Sequence, residues 1–375
     1  MTRVVLLKQG LEAKGGLEKA TLRIAEAFAK KGCDVTIVTA SQNCTPQPGI
    51  RIASFPIDAW LPHRKLQAWN KVCSSYIRDN PAEVVLGFDR TTHQTHIRAG
   101  NGLHAAYLQR RAPYESRWRK TSFALNPLHR TILRLEEEAL RHSDLRRLIV
   151  NSAMVRDEAI EHYNINPSLI RVVHNGVEWS ELNTHFQNWP SIRNEVAFQI
   201  GSDPAAFHFL FVGHEYGRKG LDAFLKGLSH LRTHDPRVIV IGRDKNIPAY
   251  RRLAARLGLE NVYFLGPMQD LYRFYALADV AVIPSYYDPF ANVTLEALAM
   301  GLFVVTSRHN GGHEVVEKDC GTTIDDLQDP GCMAASLALA LQHPKTEESA
   351  RRIRYSVRYL DYPLQLERFT GTCLA

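Results

Sequence analysis

The stretch "FHFLFVGHEYGRKGLDAFLKGLSHL", residues 207–231, is the clearest indication of the fold class. It begins with an apolar run of the length of a buried strand, and a loop with three glycines follows directly. A helix with one apolar face comes next, formed by residues three or four apart: Leu221, Phe224, Leu228 and Leu231. The stretch therefore predicts a strand, a loop and a helix, the repeating unit of a parallel sheet covered by helices.

The same unit recurs on both sides of this stretch. Apolar runs alternate with helical patterns before it, at "RVVLL", "DVTIVTA", "EVVLGF", "RRLIVNS" and "IRVVHNG", and after it, at "RVIVIG", "NVYFLG", "DVAVIPS" and "FVVTS". Residues 177–206 break the alternation, because they are polar and contain Pro190 and Pro204, and we interpret them as the passage between domains. The sequence thus predicts two doubly wound α/β domains, 1–178 and 179–355, in keeping with a length of 375 residues.

Composition excludes several classes of protein. Hydrophobic residues make up 45% of the chain and charged residues 23%, as in ordinary globular domains. No run of about 18 apolar residues could span a bilayer, and the N-terminal stretch lacks the pattern of a signal peptide. The 6 cysteines lie far apart without a C-x-x-C pair, so we expect free thiols and a cytoplasmic location.

Two loops could hold a phosphate group. Gly15 and Gly16 precede the first predicted helix, where unpaired N–H groups favour an anion, although a plain flexible turn is an equal reading. In "GHEYGRKG", residues 213–220, Arg218 and Lys219 stand at a predicted helix start, where basic side chains oppose the helix dipole by about 0.3 to 1 kcal/mol. A bound anion would turn this unfavourable placement into a binding site.

Other sites are missing from the sequence. It contains neither the Walker phosphate loop nor the dinucleotide G-x-G-x-x-G fingerprint. There is also no D-x-D motif and no helical histidine pair of the kind that binds zinc. We therefore expect no metal and no cofactor, and we expect basic side chains and helix starts to neutralise a phosphate.

The stretch "YYDPFANVTLEALAMG", residues 286–301, carries two acids, Asp288 and Glu296. Asp288 followed by Pro289 is a favourable pair for the start of a helix, and Glu296 could be a solvated residue of that helix. A helix start is also an anion site, so the capping and the functional interpretations of Asp288 both stay open.

Together these motifs resemble the retaining glycosyltransferases of the GT-B fold, family 4. The resemblance covers most of the chain and rests on four features in order: Gly15–Gly16 before the first helix, "NGV" at 175–177, the G-x-x-x-G-R-K-G loop, and an acid followed by Glu296 and "ALAMG". Within the family, "GGLEKATLRIAEAFAKKG", "VVLGFD" and "YGRKG" are most similar to the lipopolysaccharide core α-glucosyltransferases.

The resemblance implies two Rossmann-like domains facing across a cleft, with the C-terminal helix, residues 356–375, packed back on the first domain. It implies that a UDP-sugar is bound mainly by the second domain and that Glu296 binds the ribose. The predicted donor-binding residues are Gly15, Gly16, Gly213, Arg218, Lys219, Phe290, Ala291, Asn292, Val293 and Glu296. Arg218 and Lys219 are also predicted to be catalytic, because they would stabilise the departing diphosphate.

The chain departs from the family pattern at one position and offers two candidate residues at another. The family usually has glutamate where this chain has Asp288, one methylene shorter, which would face the transferred sugar. In the loop "RAGNGLHAAYL" a polar residue is expected near the reacting sugar, and both Asn101 and His104 are candidates. These three residues complete the predicted catalytic set.

The basic residues of the stretch 105–134 are predicted to contact a membrane or a lipid-linked acceptor. Most of the formal net charge of +7 lies in residues 105–134, with Glu115 as the only acid there. The residues predicted to contact an anionic membrane or a lipid-linked acceptor are Arg110, Arg111, Arg117, Trp118, Arg119 and Lys120. A solvated helical face and a nucleic-acid surface are the other interpretations, and the lipid-linked acceptor favours the membrane.

The resemblance thus implies a hexosyltransferase that moves a sugar, expected to be glucose, from a UDP-sugar to a lipopolysaccharide core or another lipid-linked glycan. Its partners would be the donor, the acceptor and the inner face of the cytoplasmic membrane, without nucleic acid. A nucleotide-sugar 2-epimerase or hydrolase and a non-catalytic nucleotide-sugar binding module are the alternatives. An NAD-dependent oxidoreductase is disfavoured, because the glycine fingerprint is missing.

Overall fold

The computed structural model describes residues 1–11, 16–42, 44, 48–114, 123, 125–231 and 235–375. The chain divides into two compact units. The first consists of Met1–His174 with Pro363–Ala375, and the second of Asn175–Tyr362. The predicted architecture of two doubly wound α/β domains is confirmed.

The first unit is a parallel sheet with helices on both faces. Its strands are β1 (Arg3–Leu7), β2 (Asp34–Thr39), β3 (Ile50–Ser54), β4 (Val84–Gly87), β5 (His96–Ala99), β6 (Arg147–Val150) and β7 (Ile170–Val172). Its helices include α1 (Gly16–Lys30), α2 (Pro62–Asp79), α3 (His104–Arg111), α4 (Pro127–Leu140) and α5 (Ala153–Tyr163). Over the described residues the strand order is β3-β2-β1-β4-β5-β6-β7.

Side chains alternate across β1, so both faces of the sheet are buried. Val4 and Leu6 belong to one apolar cluster with Phe28 of α1. Val5 and Leu7 belong to another with Trp69 of α2. Burial on both faces explains why the strands of this unit appear in the sequence as continuous apolar runs.

The second unit repeats this plan. Its strands are β8 (His208–Val212), β9 (Arg237–Ile241), β10 (Val262–Gly266), β11 (Val280–Ile283), β12 (Phe303–Ser307) and β13 (Gly321–Ile324). Its helices include α6 (Asn183–Gln187), α7 (Trp189–Ile200), α8 (Leu221–Leu228), α9 (Ile247–Arg256), α10 (Leu271–Leu277), α11 (Asn292–Ala299), α12 (Pro330–Ala340) and α13 (Glu347–Ser356). The parallel strand order in the described part of this unit is β10-β9-β8-β11-β12-β13.

The strand and helix predicted from residues 207–231 are present as β8 and α8. Leu221, Phe224 and Leu228 are buried in the core of the second unit, as the spacing predicts. Leu231 is only partly buried and lies beyond the end of α8.

The chain passes from the first unit to the second after His174 and returns to the first unit after Tyr362. Val177 forms an isolated parallel bridge with Asp361, and its N–H donates a hydrogen bond of 3.0 Å to the carbonyl of Leu360. These contacts tie both chain passages to the second unit. The last helix, α14 (Tyr362–Leu374), then places Phe369 and Cys373 in the apolar cluster of the first unit.

The interpretation of residues 177–206 as a passage between domains is wrong. The segment forms α6 and α7, and Val196 and Ala197 of α7 are buried in the core of the second unit. Pro190 lies in the first turn of α7, where a proline needs no N–H group. Pro190, which suggested an irregular connection in the sequence, therefore lies at the start of a helix.

None of the helices in the described residues is long and apolar enough to cross a membrane.

Candidate active site

The strand order of the second unit brings two predicted loops together. β8 lies between β9 and β11, so the chain connections of β8 and β11 run to opposite sides of the sheet. Such a switch point opens a crevice at the carboxyl ends of the strands, where ligands bind in this kind of sheet. Residues 213–220 follow β8 and residues 284–291 follow β11. The loop at 213–220 and the start of the stretch 286–301, both identified from the sequence, therefore meet at the switch point.

Glycines allow these two loops to touch. Gly220 has φ +77°, and a Cβ added to it would lie 1.9 Å from the carbonyl oxygen of Pro284, so only glycine fits there. Gly213, a predicted site residue, donates its N–H to the carbonyl of Ile241 at 3.0 Å. A Cβ on Gly213 would lie 3.0 Å from Cγ of Lys219, which shows how closely this side chain follows the loop backbone.

Arg218, Lys219 and Asp288 form one charged cluster at this point. The Lys219 ammonium is ion-paired with Oδ2 of Asp288, and Nη1 of Arg218 lies 3.7 Å from the same oxygen. Arg218 also donates to the carbonyl of Tyr287 at 3.3 Å and to the carboxylate of Glu215 at 3.0 Å. Glu215 is exposed, whereas Asp288 and Lys219 are largely buried. The structure thus brings together three of the predicted catalytic residues.

Asp288 is not the N-cap that the Asp-Pro pair suggested. α11 begins at Asn292, and its N-cap residue is Ala291, which offers no capping side chain. The Asp288 carboxylate instead accepts a hydrogen bond of 3.2 Å from the N–H of Phe290 and binds Lys219. The capping interpretation is therefore wrong, because the chain makes a further turn between Asp288 and the helix.

Asn310 provides the support that a cap would have given. Its Oδ1 accepts hydrogen bonds from the N–H groups of Ala291, at 2.9 Å, and Gly312, at 3.1 Å. The amides of Phe290 and Ala291 thus have acceptors within the protein. Asn292 and Val293 supply the first N–H groups of α11, which have no acceptor inside a helix and are suited to an anion.

Glu296 lies one turn into α11 and is partly buried. Its Oε2 accepts a hydrogen bond of 2.7 Å from the hydroxyl of Tyr275. Burial raises the pKa of Glu296, and the hydrogen bond from Tyr275 partly offsets this rise. Such a carboxylate on a helix that begins at the switch point can accept hydrogen bonds from ligand hydroxyls.

Asn101 and His104, the two alternatives in the first unit, have different surroundings. Asn101 is exposed and lines a cavity of about 360 Å³ at the carboxyl ends of β4 and β5. His104 begins α3, and its Nε2 is hydrogen-bonded to Nδ1 of His129 at 2.9 Å. Burial lowers the pKa of His104 to about 4, so its ring is neutral at pH 7. Asn101 is the more accessible of the two.

A buried carboxylate that the sequence did not single out supports His104. Glu136 of α4 accepts hydrogen bonds from the N–H groups of His104, at 2.8 Å, and Ala105, at 3.3 Å. It also accepts one of 2.6 Å from the hydroxyl of Tyr163, and it lies 2.9 Å from Nη1 of Arg90. The sequence does not indicate the role of Glu136, because it is one of several charged residues in a helical stretch and its partners lie far away along the chain.

A second missed cluster lies at the switch point of the first unit, between β1 and β4. The buried Lys8 is ion-paired with Asp89 at 3.3 Å, and its Nζ lies 3.9 Å from Glu18 of α1. An acid directly after the strand "VVLGF" could have indicated this site. Gly16 is the first residue of α1, and Gly15 lies outside the described residues.

Two of the basic residues predicted for a membrane are bound within the first unit. Arg110 lies 3.9 Å from the buried Glu158. Arg111 donates a hydrogen bond of 2.7 Å to the hydroxyl of Tyr107, and its guanidinium stacks over the ring of Phe123 at 5.5 Å. The charged groups of both arginines therefore contact other residues of the first unit. The other predicted residues, Arg117, Trp118, Arg119 and Lys120, lie outside the part of the chain that the structure describes.

The cluster at the second switch point offers basic side chains and amide groups to an anion. In the described part of the chain, no group of three or more histidine, cysteine, aspartate or glutamate residues could hold a metal ion. Arg218 and Lys219 supply positive charge, and α11 supplies the N–H groups of its first turn. A diphosphate with a polar group on each side fits this arrangement.

Comparisons with known proteins match each unit. Residues 206–343 match the family of glycosyl transferases group 1, and residues 14–181 match glycosyltransferase family 4. The lipopolysaccharide glucosyltransferase WaaG of Escherichia coli is 24% identical over 315 residues, which cover 83% of this chain and 82% of that protein. A D-inositol 3-phosphate glycosyltransferase of Streptomyces bingchenggensis is 32% identical over 190 residues, which cover 47% of this chain and 40% of the relative.

Solved structures share the fold over nearly the whole chain. The crystal structure of WaaG matches with a TM-score of 0.78 at 22% identity, covering 99% of both chains. The Anabaena protein HepE, solved in complex with UDP and glucose, matches with a TM-score of 0.67 at 16% identity, covering 100% of both chains. Both likenesses support the GT-B fold predicted from the sequence.

Proposed function

We propose that this chain, which belongs to the group 1 and family 4 glycosyltransferases of the GT-B fold, transfers glucose from UDP-glucose to a lipid-linked saccharide with retention of configuration. The acceptor would be a lipopolysaccharide core or a similar glycan at the inner face of the cytoplasmic membrane. The names of the relatives support this choice, since one is a lipopolysaccharide glucosyltransferase and another was solved with UDP and glucose.

The observation that carries the proposal is the cluster of Arg218 and Lys219 around Asp288 at the switch point of the second unit. A sugar nucleotide places a diphosphate between its sugar and its ribose. In the cluster, the two cations would meet the diphosphate and Asp288 would face the sugar. Glu296, one turn into α11, would accept hydrogen bonds from the ribose hydroxyls.

The chemistry proposed for this site is electrostatic. As the bond between the anomeric carbon and the diphosphate oxygen breaks, negative charge grows on the leaving group, and Arg218 and Lys219 stabilise it. One missing preorganised donor of this kind typically costs about 2.7 to 4 kcal/mol in the barrier. The acceptor hydroxyl attacks the face of the sugar from which the diphosphate leaves, and its proton passes to the departing phosphate oxygen.

Asp288 would have two roles in this reaction. Before the donor binds, its carboxylate neutralises the largely buried Lys219. When the diphosphate replaces it as the counter-ion of Lys219, Asp288 becomes available to a sugar hydroxyl. In the first unit, Asn101 is proposed to contact the transferred sugar or the acceptor, because it lines the cavity at the carboxyl ends of β4 and β5.

The test is incubation with radiolabelled UDP-glucose, with and without a lipopolysaccharide core acceptor. Label in the acceptor supports the transferase, and loss of UDP-glucose without acceptor indicates a hydrolase. Conversion of UDP-GlcNAc alone would support a 2-epimerase, and UDP binding without any turnover would indicate a binding module.

Substitution at the cluster tests the assignment of the diphosphate. Lys219→Met and Arg218→Met should each lower kcat/KM at least about a hundredfold, in keeping with the loss of one preorganised donor. Lys226→Met is the matched control, because Lys226 is an exposed lysine of α8 paired only with Asp222 in the described residues. Near-normal turnover of both cluster variants would refute the assignment.

A further inference from the structure

Three apolar side chains of the first unit are exposed and have no role in the site described above. Trp60 is 95% exposed and Leu125 is 72% exposed, and Leu61, next to Trp60, is exposed as well. Tryptophan is buried to a large extent in most folded proteins. Exposed large apolar groups in one place mark a surface that contacts something else.

The three side chains belong to one surface. Trp60 and Leu61 directly precede α2, and Leu125 lies just before α4. α2 and α4 pack against each other, and the first turns of both helices line the same cavity, through Lys65 and Leu128. The starts of the two helices are therefore neighbours, and the apolar residues that precede them form a common edge.

Exposed cations accompany this edge. Arg64 and Lys65 lie in the first turn of α2 and Arg130 lies in the first turn of α4, and all three are exposed. None of them has an acidic partner in the described residues, and Asp58 is the exposed acid nearest to Trp60 in the sequence. Tryptophan and leucine beside unpaired cations are typical of surfaces that lie in the headgroup layer of an anionic membrane.

The edge also borders the cavity that contains Asn101. Lys65 and Leu128 line this cavity together with Asn101, so one cavity reaches from the helix starts to the carboxyl ends of the strands. A saccharide attached to a lipid would therefore need to travel only a short way from a membrane at this edge into the cavity.

We propose that Trp60, Leu61 and Leu125, with Arg64, Lys65 and Arg130, form an edge that inserts into the headgroup layer of an anionic phospholipid membrane. The proposed edge includes none of the basic residues between Arg110 and Lys120. Delivery of a lipid-linked acceptor to the Asn101 cavity rests on the proposed function, whereas the contact with lipid does not.

Vesicle sedimentation tests the apolar part of the edge. We expect the double variant Trp60→Ala/Leu125→Ala to bind phosphatidylglycerol-containing vesicles at least about tenfold more weakly than the wild type, because its insertion of apolar area is lost. Phe198→Ala is the matched control, because Phe198 is 87% exposed on α7 of the second unit and should not change binding. Equal binding of the double variant and the control would overturn the proposal.

Charge reversal tests the cations. Arg64→Glu/Lys65→Glu should weaken binding to anionic vesicles and reduce its dependence on salt, because fewer protein charges face the lipid. Arg252→Glu/Lys318→Glu, which reverses two exposed cations of the second unit, is the control and should leave binding unchanged. An equal effect of both pairs would mean that total charge, rather than this edge, governs binding.

Fluorescence locates Trp60 directly. The emission of the wild type minus that of Trp60→Phe should shift to the blue on anionic vesicles and be quenched by brominated lipids, as expected of an indole in the interfacial layer. If the double variant instead abolished a dimer in light scattering and kept its vesicle binding, the edge would be a protein interface and the proposal would fall. These measurements use neither donor nor acceptor, so their failure would leave the transferase proposal untouched.

Discussion

The hydroxyl of Tyr275 donates a hydrogen bond of 2.7 Å to Oε2 of Glu296, and this bond joins α10 to α11 beside the switch point. Burial raises the pKa of Glu296, and the bond from Tyr275 acts in the opposite direction. Tyr275 itself is fully buried, and burial together with Glu296 raises its own pKa, so its hydroxyl remains a donor. Tyr275 therefore favours the ionised form of Glu296 and fixes its orientation.

Tyr275→Phe should weaken UDP binding and shift its pH dependence. In the proposed site, an ionised Glu296 would accept hydrogen bonds from both ribose hydroxyls, so the affinity of the wild type for UDP should rise as pH rises through the pKa of Glu296. Without the bond from Tyr275 that pKa is higher, and the rise should occur at higher pH. A hydrogen bond to a charged group contributes about 1.5 to 3 kcal/mol, so we expect roughly tenfold or greater weakening between the pKa of the wild type and the higher pKa of the variant, where Glu296 is ionised only in the wild type.

Calorimetric titration of UDP across the pH range measures this effect, and 2′,3′-dideoxy-UDP is the control ligand. The dideoxy compound lacks the hydroxyl groups, so its affinity should be the same for the wild type and Tyr275→Phe. An equal loss of affinity for both ligands would mean that Tyr275 only stabilises the packing of α10.

Asp288→Asn should make the stability of the protein depend more strongly on UDP. Lys219 and Asp288 are both largely buried, and removing one partner of a buried ion pair costs about 3 to 5 kcal/mol. A bound diphosphate would supply the missing negative charge. We therefore expect a lower Tm for the variant without ligand and a larger rise in Tm on addition of saturating UDP than for the wild type.

The same variant separates the roles of Asp288. Asparagine still accepts a hydrogen bond from the N–H of Phe290, so the local turn is retained. Lower kcat/KM with UDP affinity equal to or higher than that of the wild type would show that the Asp288 carboxylate acts on the sugar. Full activity would restrict Asp288 to balancing Lys219, and an identical rise in Tm for variant and wild type would exclude the exchange of counter-ions.

The parts of the fold that the sequence predicted are those encoded by neighbouring residues. The apolar run of β8, the loop after it and the spacing of Leu221, Phe224 and Leu228 in α8 all lie within a single short segment. The general rule that ligands bind at carboxyl ends of parallel strands then placed Arg218 and Lys219 in the site. Local periodicity and topology were sufficient for this part.

The remaining features depend on contacts between distant residues. The sequence suggested Asp288 as a helix cap, but the N–H group of Ala291 before α11 donates to Oδ1 of Asn310 instead. Because Asn310 lies outside this stretch of sequence, no local pattern indicates this contact. Glu136 was missed for the same reason, since its partner His104 lies on another helix. In residues 177–206 a polar composition concealed helices, because tertiary packing rather than local pattern stabilises them.

Gly220→Ala should be strongly destabilising, and Gly201→Ala provides a matched control. Both glycines have positive φ, +77° and +67°, so an alanine at either position pays a backbone cost of about 1 to 2 kcal/mol. Only at Gly220 does the added Cβ meet an atom, the carbonyl oxygen of Pro284, whereas no described atom lies within 4 Å at Gly201. Urea denaturation should therefore show a clearly larger loss of stability for Gly220→Ala.

Gly220→Ala should also reduce UDP affinity, because the collision separates the loop of Lys219 from the loop after β11. If both variants lost the same free energy of unfolding and kept their UDP affinity, the close approach of the two loops would not matter for the site.

Glu136→Gln should both destabilise the first unit and impair the residues around α3. Glu136 is buried, and its carboxylate is bound by Arg90, by Tyr163 and by the first N–H groups of α3. The neutral amide of the variant leaves Arg90 without its buried counter-ion. Breaking a buried ion pair in this way lowers the free energy of unfolding by about 3 to 5 kcal/mol. The amide also offers one acceptor oxygen where the carboxylate has two.

Glu137→Gln is the matched control for this prediction. Glu137 is the next residue of α4, is about half exposed and forms an i,i+4 pair with Arg141, an interaction that contributes only about 0.3 to 0.5 kcal/mol. Urea denaturation should thus show a loss of several kcal/mol for Glu136→Gln and almost none for Glu137→Gln. Tyr163→Phe should fall between them, because it removes one hydrogen bond and leaves the charge pair intact. If Glu136→Gln were as stable as its control but less active, the carboxylate would serve to position His104 rather than to hold the fold together.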